Sequence, residues 1–120
     1  MQIVARQLDQ ATTILDITGD INLTHSPEVR KALLRELREN LTPRVVLNLK
    51  GVNYIDSSGI ASLVEGLKAS RDGGSRLILF GLSPIAYEVL RLSKLVKLFE
   101  IYDTEEQALV APQPVVEPHS

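Results

Sequence analysis

The stretch VVLNLKGVNYIDSSGI, residues 45–60, decides the fold of this 120-residue chain. Residues 45–49 are almost continuously apolar, which is typical of a central strand buried on both faces and most often parallel to its neighbours. A periodic helix is predicted next, from about residue 57 to residue 70. Its apolar stripe, spaced i, i+3, i+4 and i+7, consists of Ile60, Leu63, Val64 and Leu67. A buried strand that leads into an amphipathic helix is the repeating unit of α/β proteins.

Upstream of this unit the pattern predicts a hairpin and a helix. Two short strands, residues 3–8 and 13–18, flank a polar turn. Ser26 is predicted to cap the first helix, Pro27 suits its first position, and Pro43 is predicted to stop it. Glu36 is assigned to its solvent face. The predicted inward stripe consists of Val29, Ala32, Leu33, Leu37 and Leu41.

Downstream the alternation of strand and helix continues. Residues 76–80 read as another buried strand, and Ser83-Pro84 repeats the helix start of Ser26-Pro27. An edge strand is predicted within residues 95–102, and Asp103 with Glu106 has capping-box spacing for a last helix to about residue 110. The predicted inward stripe of the third helix consists of Ile85, Val89 and Leu92.

The resulting order, β-β-α-β-α-β-α-β-α, predicts a single α/β domain over residues 1–110. Strands that alternate with helices pair in parallel through right-handed crossovers, so we expect a mixed, mainly parallel sheet of about five strands. Residues 111–120 contain three prolines and no periodicity. They are predicted to form a flexible tail.

Composition narrows the function classes. Thirteen basic and 15 acidic residues give a net charge of −2, which argues against a direct nucleic-acid or membrane surface. The chain has no cysteine, so disulfides, thiolate catalysis and cysteine zinc sites are excluded. The N-terminal residues lack the pattern of a signal peptide, and the apolar runs fall short of the roughly 20 residues that span a bilayer. We expect a cytoplasmic protein.

Signals for catalysis are weak. The histidines are His25, before a helix, and His119, in the tail, and no set of His, Asp and Glu has metal-ligand spacing. We therefore expect no metal and no cofactor. Gly73-Gly74 lacks the Gly-Lys-Ser/Thr continuation of a phosphate-binding loop. The serine turn at residues 56–59 is not a nucleophile elbow, although His25 could approach it.

The start of the second helix is the most informative point. Asp56, Ser57, Ser58 and Gly59 place an acid, two hydroxyls and a glycine at one helix N-terminus. One reading is that Asp56 or Ser57 caps the helix. The other is a switch, because a phosphate on a hydroxyl would gain from the free first-turn amides and would add about −1.5 to −2 charge. The residues alone leave both readings open.

Residues 45–60 closely resemble the signature of the STAS domain, and specifically of bacterial anti-sigma factor antagonists. Supporting similarities lie at Leu15–Ile21, which resembles the second strand and its turn, and at Gly81–Pro84, which resembles the start of the third helix. Residues 92–99 are similar to a further motif, with Lys94 where glycine is usual. The resemblance covers roughly residues 3–110.

This resemblance implies a binding protein that is not an enzyme. It implies binding to an anti-sigma factor, often itself a serine kinase, which frees a sigma factor for transcription; a phosphatase would reset the modified form. By position, Ser57 is the phosphoacceptor. The implied partner-binding residues are Asp20, Asn22, Asp56, Ser58 and Gly59. We expect a monomer or a weak homodimer.

Asn22 departs from the family, many of whose phosphorylatable members have an aspartate at this position. Asparagine keeps an acceptor oxygen but loses the charge and gains two donors. Two other functions stay open. One is a non-phosphorylated STAS subunit of a lipid transporter or signalling scaffold. The other is a small hydrolase or nucleotide-binding enzyme that uses Ser57 with His25.

Overall fold

The computed structural model describes residues 1–110, so the predicted tail at 111–120 lies outside the described residues. The five strands are β1 (Gln2–Gln7), β2 (Thr12–Thr18), β3 (Arg44–Gly51), β4 (Arg76–Phe80) and β5 (Glu100–Tyr102). The four α-helices are α1 (Ser26–Leu34), α2 (Ser57–Asp72), α3 (Pro84–Leu92) and α4 (Glu105–Val110). A π-helical turn, Arg35–Glu39, extends α1, and a 3-10 turn, Val96–Leu98, precedes β5. The predicted order of elements is confirmed.

The strands form one sheet in the order β1-β2-β3-β4-β5. β1 pairs antiparallel with β2, and the other three pairings are parallel. The main core lies between one sheet face and helices α1, α2 and α3. On the other face, α4 covers a smaller apolar cluster of Ile14, Val46, Ile78, Phe80 and Ala108. The predicted mixed α/β sheet is thus confirmed, with helices on both faces.

The first helix differs from its prediction at both ends. Ser26 is its first residue and is buried, while His25 occupies the cap position without a side-chain hydrogen bond. The π-helical turn changes the angular spacing after residue 34, so Glu36 is buried, and its Oε1 accepts a 2.8 Å bond from Thr42 Oγ1. Leu41 was predicted to be inward, yet it is exposed, because a left-handed φ of 52° turns the chain there.

The third helix also differs from its predicted inward stripe. Val89 packs against the core as predicted, but the fully buried residues of α3 are Ala86 and Leu90, and Ile85 and Leu92 are 59% and 68% exposed.

The capping box of α4 begins one residue later than predicted. Thr104 Oγ1 accepts from Gln107 N at 3.2 Å, and Gln107 Oε1 accepts from Thr104 N at 3.3 Å. Asp103 and Glu106 therefore do not form the box that their spacing predicted.

The carboxyl ends of the parallel strands β2 and β3 lie side by side, which brings the loops that follow them together. The chain between β2 and α1 lies beside the chain between β3 and α2, and Ile21 and Ile55 form an isolated parallel bridge. Candidate site residues from two distant stretches therefore meet at these strand ends. Among residues 1–110, no helix is both long and apolar enough to cross a bilayer.

Candidate functional site

The start of α2 is capped by Asp56, whose backbone is extended at φ −93° and ψ −174°. Its Oδ1 accepts from Ser58 N at 2.9 Å, from Gly59 N at 3.0 Å and from Ser58 Oγ at 2.5 Å. Ser57 is the first helical residue and is exposed. Of the two predicted capping residues, Asp56 is therefore the cap, and Ser57 is left accessible at the surface.

The Asp56 carboxylate is ionised under ordinary conditions. The Ser58 hydroxyl, and after it the Gly59 amide, lowers the pKa of Asp56 below its usual value, against a smaller opposing effect of burial. Two of the first-turn amides that were expected to favour a phosphate on Ser57, those of Ser58 and Gly59, are thus already bonded to a carboxylate. A phosphate at this position would add negative charge beside Asp56.

The second oxygen of Asp56 joins α2 to the loop that follows β2. Asp56 Oδ2 accepts from Leu23 N at 3.1 Å, and Asp56 N donates to Ile21 O at 3.1 Å. Ile21 N in turn donates to Tyr54 O at 3.0 Å. The structure therefore brings the loop of residues 19–23, which contains the implied partner-binding residues Asp20 and Asn22, against the start of α2.

Asn22 shapes this loop with its side-chain oxygen. Asn22 Oδ1 accepts from Thr24 N and from His25 N, both at 3.1 Å, and this arrangement is typical of asparagine in turns. The side chain is half-buried, and Asp20 at the other end of the loop is exposed. The acceptor oxygen of Asn22 is therefore engaged within the loop, whereas Asp20 presents its carboxylate to solvent.

Gly59 is buried at the contact between the loop and α2. A Cβ atom at this position would lie 2.5 Å from Ile21 O and 2.7 Å from Ile55 Cγ2, closer than real Cβ atoms approach. Glycine is thus required for the loop to lie against the helix. Ser58 is half-buried, and its hydroxyl bonds to Asp56. Both residues therefore take part in the contacts that fix the start of α2.

Two exposed apolar side chains flank the site, and sequence reasoning gave neither a role of its own. Leu23 is 76% exposed and Tyr54 is 44% exposed, although their backbones are fixed by the bonds to Asp56 and Ile21. The available signal was an apolar residue within a short polar loop. Rigid, exposed apolar side chains beside a polar group are typical of protein-binding surfaces.

The alternative catalytic pair, Ser57 with His25, is not formed. His25 Nδ1 lies 3.5 Å from Glu28 Oε1, on its own helix, and no hydrogen bond joins His25 to Ser57 in the described part of the chain. Within that same part, no group of three or more His, Asp and Glu residues is placed to hold a metal ion.

Comparisons with known proteins agree with this geometry. The anti-sigma-B factor antagonist of Listeria monocytogenes is 31% identical over 90 residues, which cover 74% of this chain and 77% of the relative. The anti-sigma F factor antagonist of Paenibacillus polymyxa is 27% identical over 96 residues, covering 80% and 82%. A Thermotoga maritima structure described as an anti-sigma factor antagonist superposes with a TM-score of 0.83 at 24% identity, covering 89% and 91%. The STAS domain model matches residues 2–108, and the chain belongs to the STAS domain family.

Proposed function

We propose that this protein is an anti-sigma factor antagonist that binds an anti-sigma factor through the surface around the start of α2. Phosphorylation of Ser57 switches this binding off, and a phosphatase restores it. The protein acts in the cytoplasm as a binding module with no catalytic activity of its own. Its regulatory output is the release of a sigma factor for transcription.

The names of the relatives support the binding role. Relatives in Listeria and Paenibacillus are named as antagonists of anti-sigma-B and anti-sigma F factors. The Bacillus cell fate determinant SpoIIAA, a structural neighbour with a TM-score of 0.70, is described in a phosphorylated form. A protein that shares the fold of this chain thus exists in a phosphorylated form, which supports a phosphorylation switch.

The observation that carries the proposal is the exposure of Ser57 directly after a fixed, ionised Asp56. A kinase needs an accessible hydroxyl, and Ser57 offers one on a helix start that three bonds to Asp56 Oδ1 hold in place. The exposed side chains of Leu23 and Tyr54, whose backbones are bonded to Asp56 and Ile21, supply apolar contact area near it.

The electrostatics explain how the switch acts. A phosphate on Ser57 would add about two negative charges beside Asp56, and an interface that closes over them must remove both groups from water. A loss of ~3 kcal/mol weakens binding about a hundredfold. Such a loss requires no rearrangement of the fold, because the new charge lies within the contact surface.

The proposal is tested by titrating the anti-sigma factor into Ser57→Ala, Ser57→Asp and the matched control Ser93→Asp. Ser93 is also exposed but lies at the C-terminal end of α3, whereas the N-terminal end of α3 contacts the loop before α2 through the bond from Ser83 Oγ to Asn53 O. We expect Ser57→Asp to bind at least about tenfold more weakly than Ser57→Ala, and Ser93→Asp to bind like the unmodified protein. Equal affinities for the two Ser57 variants would refute the switch and favour a non-phosphorylated accessory subunit.

A further inference from the structure

The outer edge of β1 exposes backbone groups that no described strand uses. β1 lies at the end of the sheet and pairs only with β2 among the strands described. Leu8 N donates to Thr12 O, so the backbone of Leu8 points toward β2. Because backbone groups alternate in direction along a strand, the N–H and C=O groups of Ile3, Ala5 and Gln7 point away from the sheet.

Among residues 1–110, this edge carries few of the features that usually prevent strands from pairing. Its six residues, QIVARQ, contain neither lysine nor proline, and the register with β2 shows no bulge. The one charged side chain, Arg6, is bonded to Asp16 and Glu105 of its own chain. By contrast, the opposite edge strand, β5, has only three residues.

We infer that two copies of this protein associate through antiparallel pairing of their β1 strands. The residues whose backbone groups point outward, Ile3, Ala5 and Gln7, are spaced symmetrically about Ala5. A two-fold axis at Ala5 therefore pairs Ala5 with Ala5 of the other copy, and Ile3 with Gln7 of the other copy. This register forms about six backbone hydrogen bonds. Ala5 is small and exposed, so its side chain leaves room for a second copy at the axis.

The surface beside β1 is also compatible with a second copy. Ile3 and Ala5 line a cleft of ≈ 350 Å³ against α1, whose wall carries Glu28, Lys31 and Arg35. Both signs of charge are present on this wall, so a two-fold arrangement does not bring surfaces of a single sign together. One pair of edge strands gives a small interface, so the association is weak and depends on concentration.

The inference is tested by sedimentation equilibrium of the unmodified protein, Ala5→Lys and Ala11→Lys at concentrations up to about 1 mM. Ala11 is exposed in the turn after β1, so the same substitution there leaves the edge unchanged. We expect the mass of the unmodified protein and of Ala11→Lys to rise toward that of two copies. Ala5→Lys should need at least about tenfold higher concentration, because it places two like charges at the axis.

Two results would overturn the inference: a constant single-copy mass for the unmodified protein, or equal association of Ala5→Lys. Thermal unfolding of each variant shows whether it is folded. A second measurement uses a short thiol crosslinker on Ala5→Cys and Ala11→Cys, since the chain has no other cysteine. Only Ala5→Cys should give a covalent dimer. Ser57→Asp should associate like the unmodified protein, which separates this inference from the proposed switch.

Discussion

Asp56 performs two tasks with its two carboxylate oxygens. One oxygen caps α2, and the other holds the amide of Leu23 in the neighbouring loop. A capping residue usually stabilises only its own helix, by about 1 kcal/mol. Because this one also bridges two segments that are 33 residues apart, its loss affects the whole surface around Ser57.

Replacing Asp56 with alanine should therefore lower the free energy of unfolding by about 1–2 kcal/mol at pH 7. Denaturant unfolding measures this change, and Ser57→Ala is the matched control. The free energy of unfolding of that control should stay within about 0.5 kcal/mol of that of the unmodified protein, since the Ser57 side chain is exposed. A smaller loss for Asp56→Ala than for Ser57→Ala would contradict the assigned roles.

The unmodified protein and Asp56→Ala also give a test of how stability depends on pH. The folded pKa of Asp56 lies below its usual value of 3.8, so the carboxylate contributes stability above that value. This contribution is lost as the pH falls through the lowered pKa. The gap in unfolding free energy between the unmodified protein and Asp56→Ala should narrow on acidification below about pH 4. A gap that is constant from pH 7 to about pH 2 would show that the charge of Asp56 does not matter.

A substitution at Asn22 distinguishes a role in the shape of the loop from a role in partner binding. In Asn22→Asp a carboxylate oxygen can accept the same two amides, from Thr24 and His25, so the melting temperature should be nearly unchanged. The added charge beside Asp56 should change the affinity for the anti-sigma factor. Calorimetry measures both the melting temperature and the affinity. Asp20→Asn is the reciprocal control, because it removes a charge from the same loop. A shifted melting temperature with unchanged affinity would leave Asn22 with a structural role alone.

At the scale of elements, α3 ends in a Schellman motif. Leu95 N donates to Leu90 O at 2.9 Å, and Lys94 N donates to Arg91 O at 3.0 Å. Lys94 closes the motif with a φ of 60°, a conformation that favours glycine. Glycine is usual at this position in the family that the sequence resembles, and the left-handed backbone conformation of Lys94 explains this preference.

Lys94→Gly should therefore raise the free energy of unfolding by about 0.5–1 kcal/mol, because the left-handed conformation no longer strains a side chain. The control is Ser93→Gly, where φ is −80° and glycine only adds freedom to the unfolded chain. Thermal unfolding should place Lys94→Gly above, and Ser93→Gly below, the unmodified protein. The opposite order would mean that the lysine side chain makes a stabilising contact.

The sequence predicted elements where a strong local pattern agreed with the tertiary packing. The buried strand 76–80 and the start of α2 at Ser57 were both predicted at the observed residues. The predictions failed where packing decided the outcome. The π-helical turn buries Glu36, and Ala86 rather than Ile85 faces the core. Neither result follows from periodicity, since both depend on how each helix packs against the rest of the domain.

The site was only partly predictable for the same reason. The resemblance identified Ser57 and the residues around it, but the bond from Leu23 N to Asp56 Oδ2 joins residues that are distant in the sequence. The role of Gly59 likewise depends on the backbone of Ile21, which no local pattern places within 3 Å of its missing Cβ.

At the scale of the molecule, we propose separate roles for two surfaces. The loops at the ends of β2 and β3 present Ser57 with Leu23 and Tyr54, and the outer edge of β1 presents unpaired backbone groups. The sheet holds both surfaces in fixed positions. A change of charge at Ser57 can therefore control one contact without altering the fold or the other contact.

The most direct test of this account measures the affinity of the anti-sigma factor for two forms of the full chain, unmodified and carrying phosphoserine at position 57. Isothermal titration at one ionic strength gives both dissociation constants. The account predicts binding about a hundredfold weaker for the phosphorylated form. Equal affinities for the two forms would contradict it.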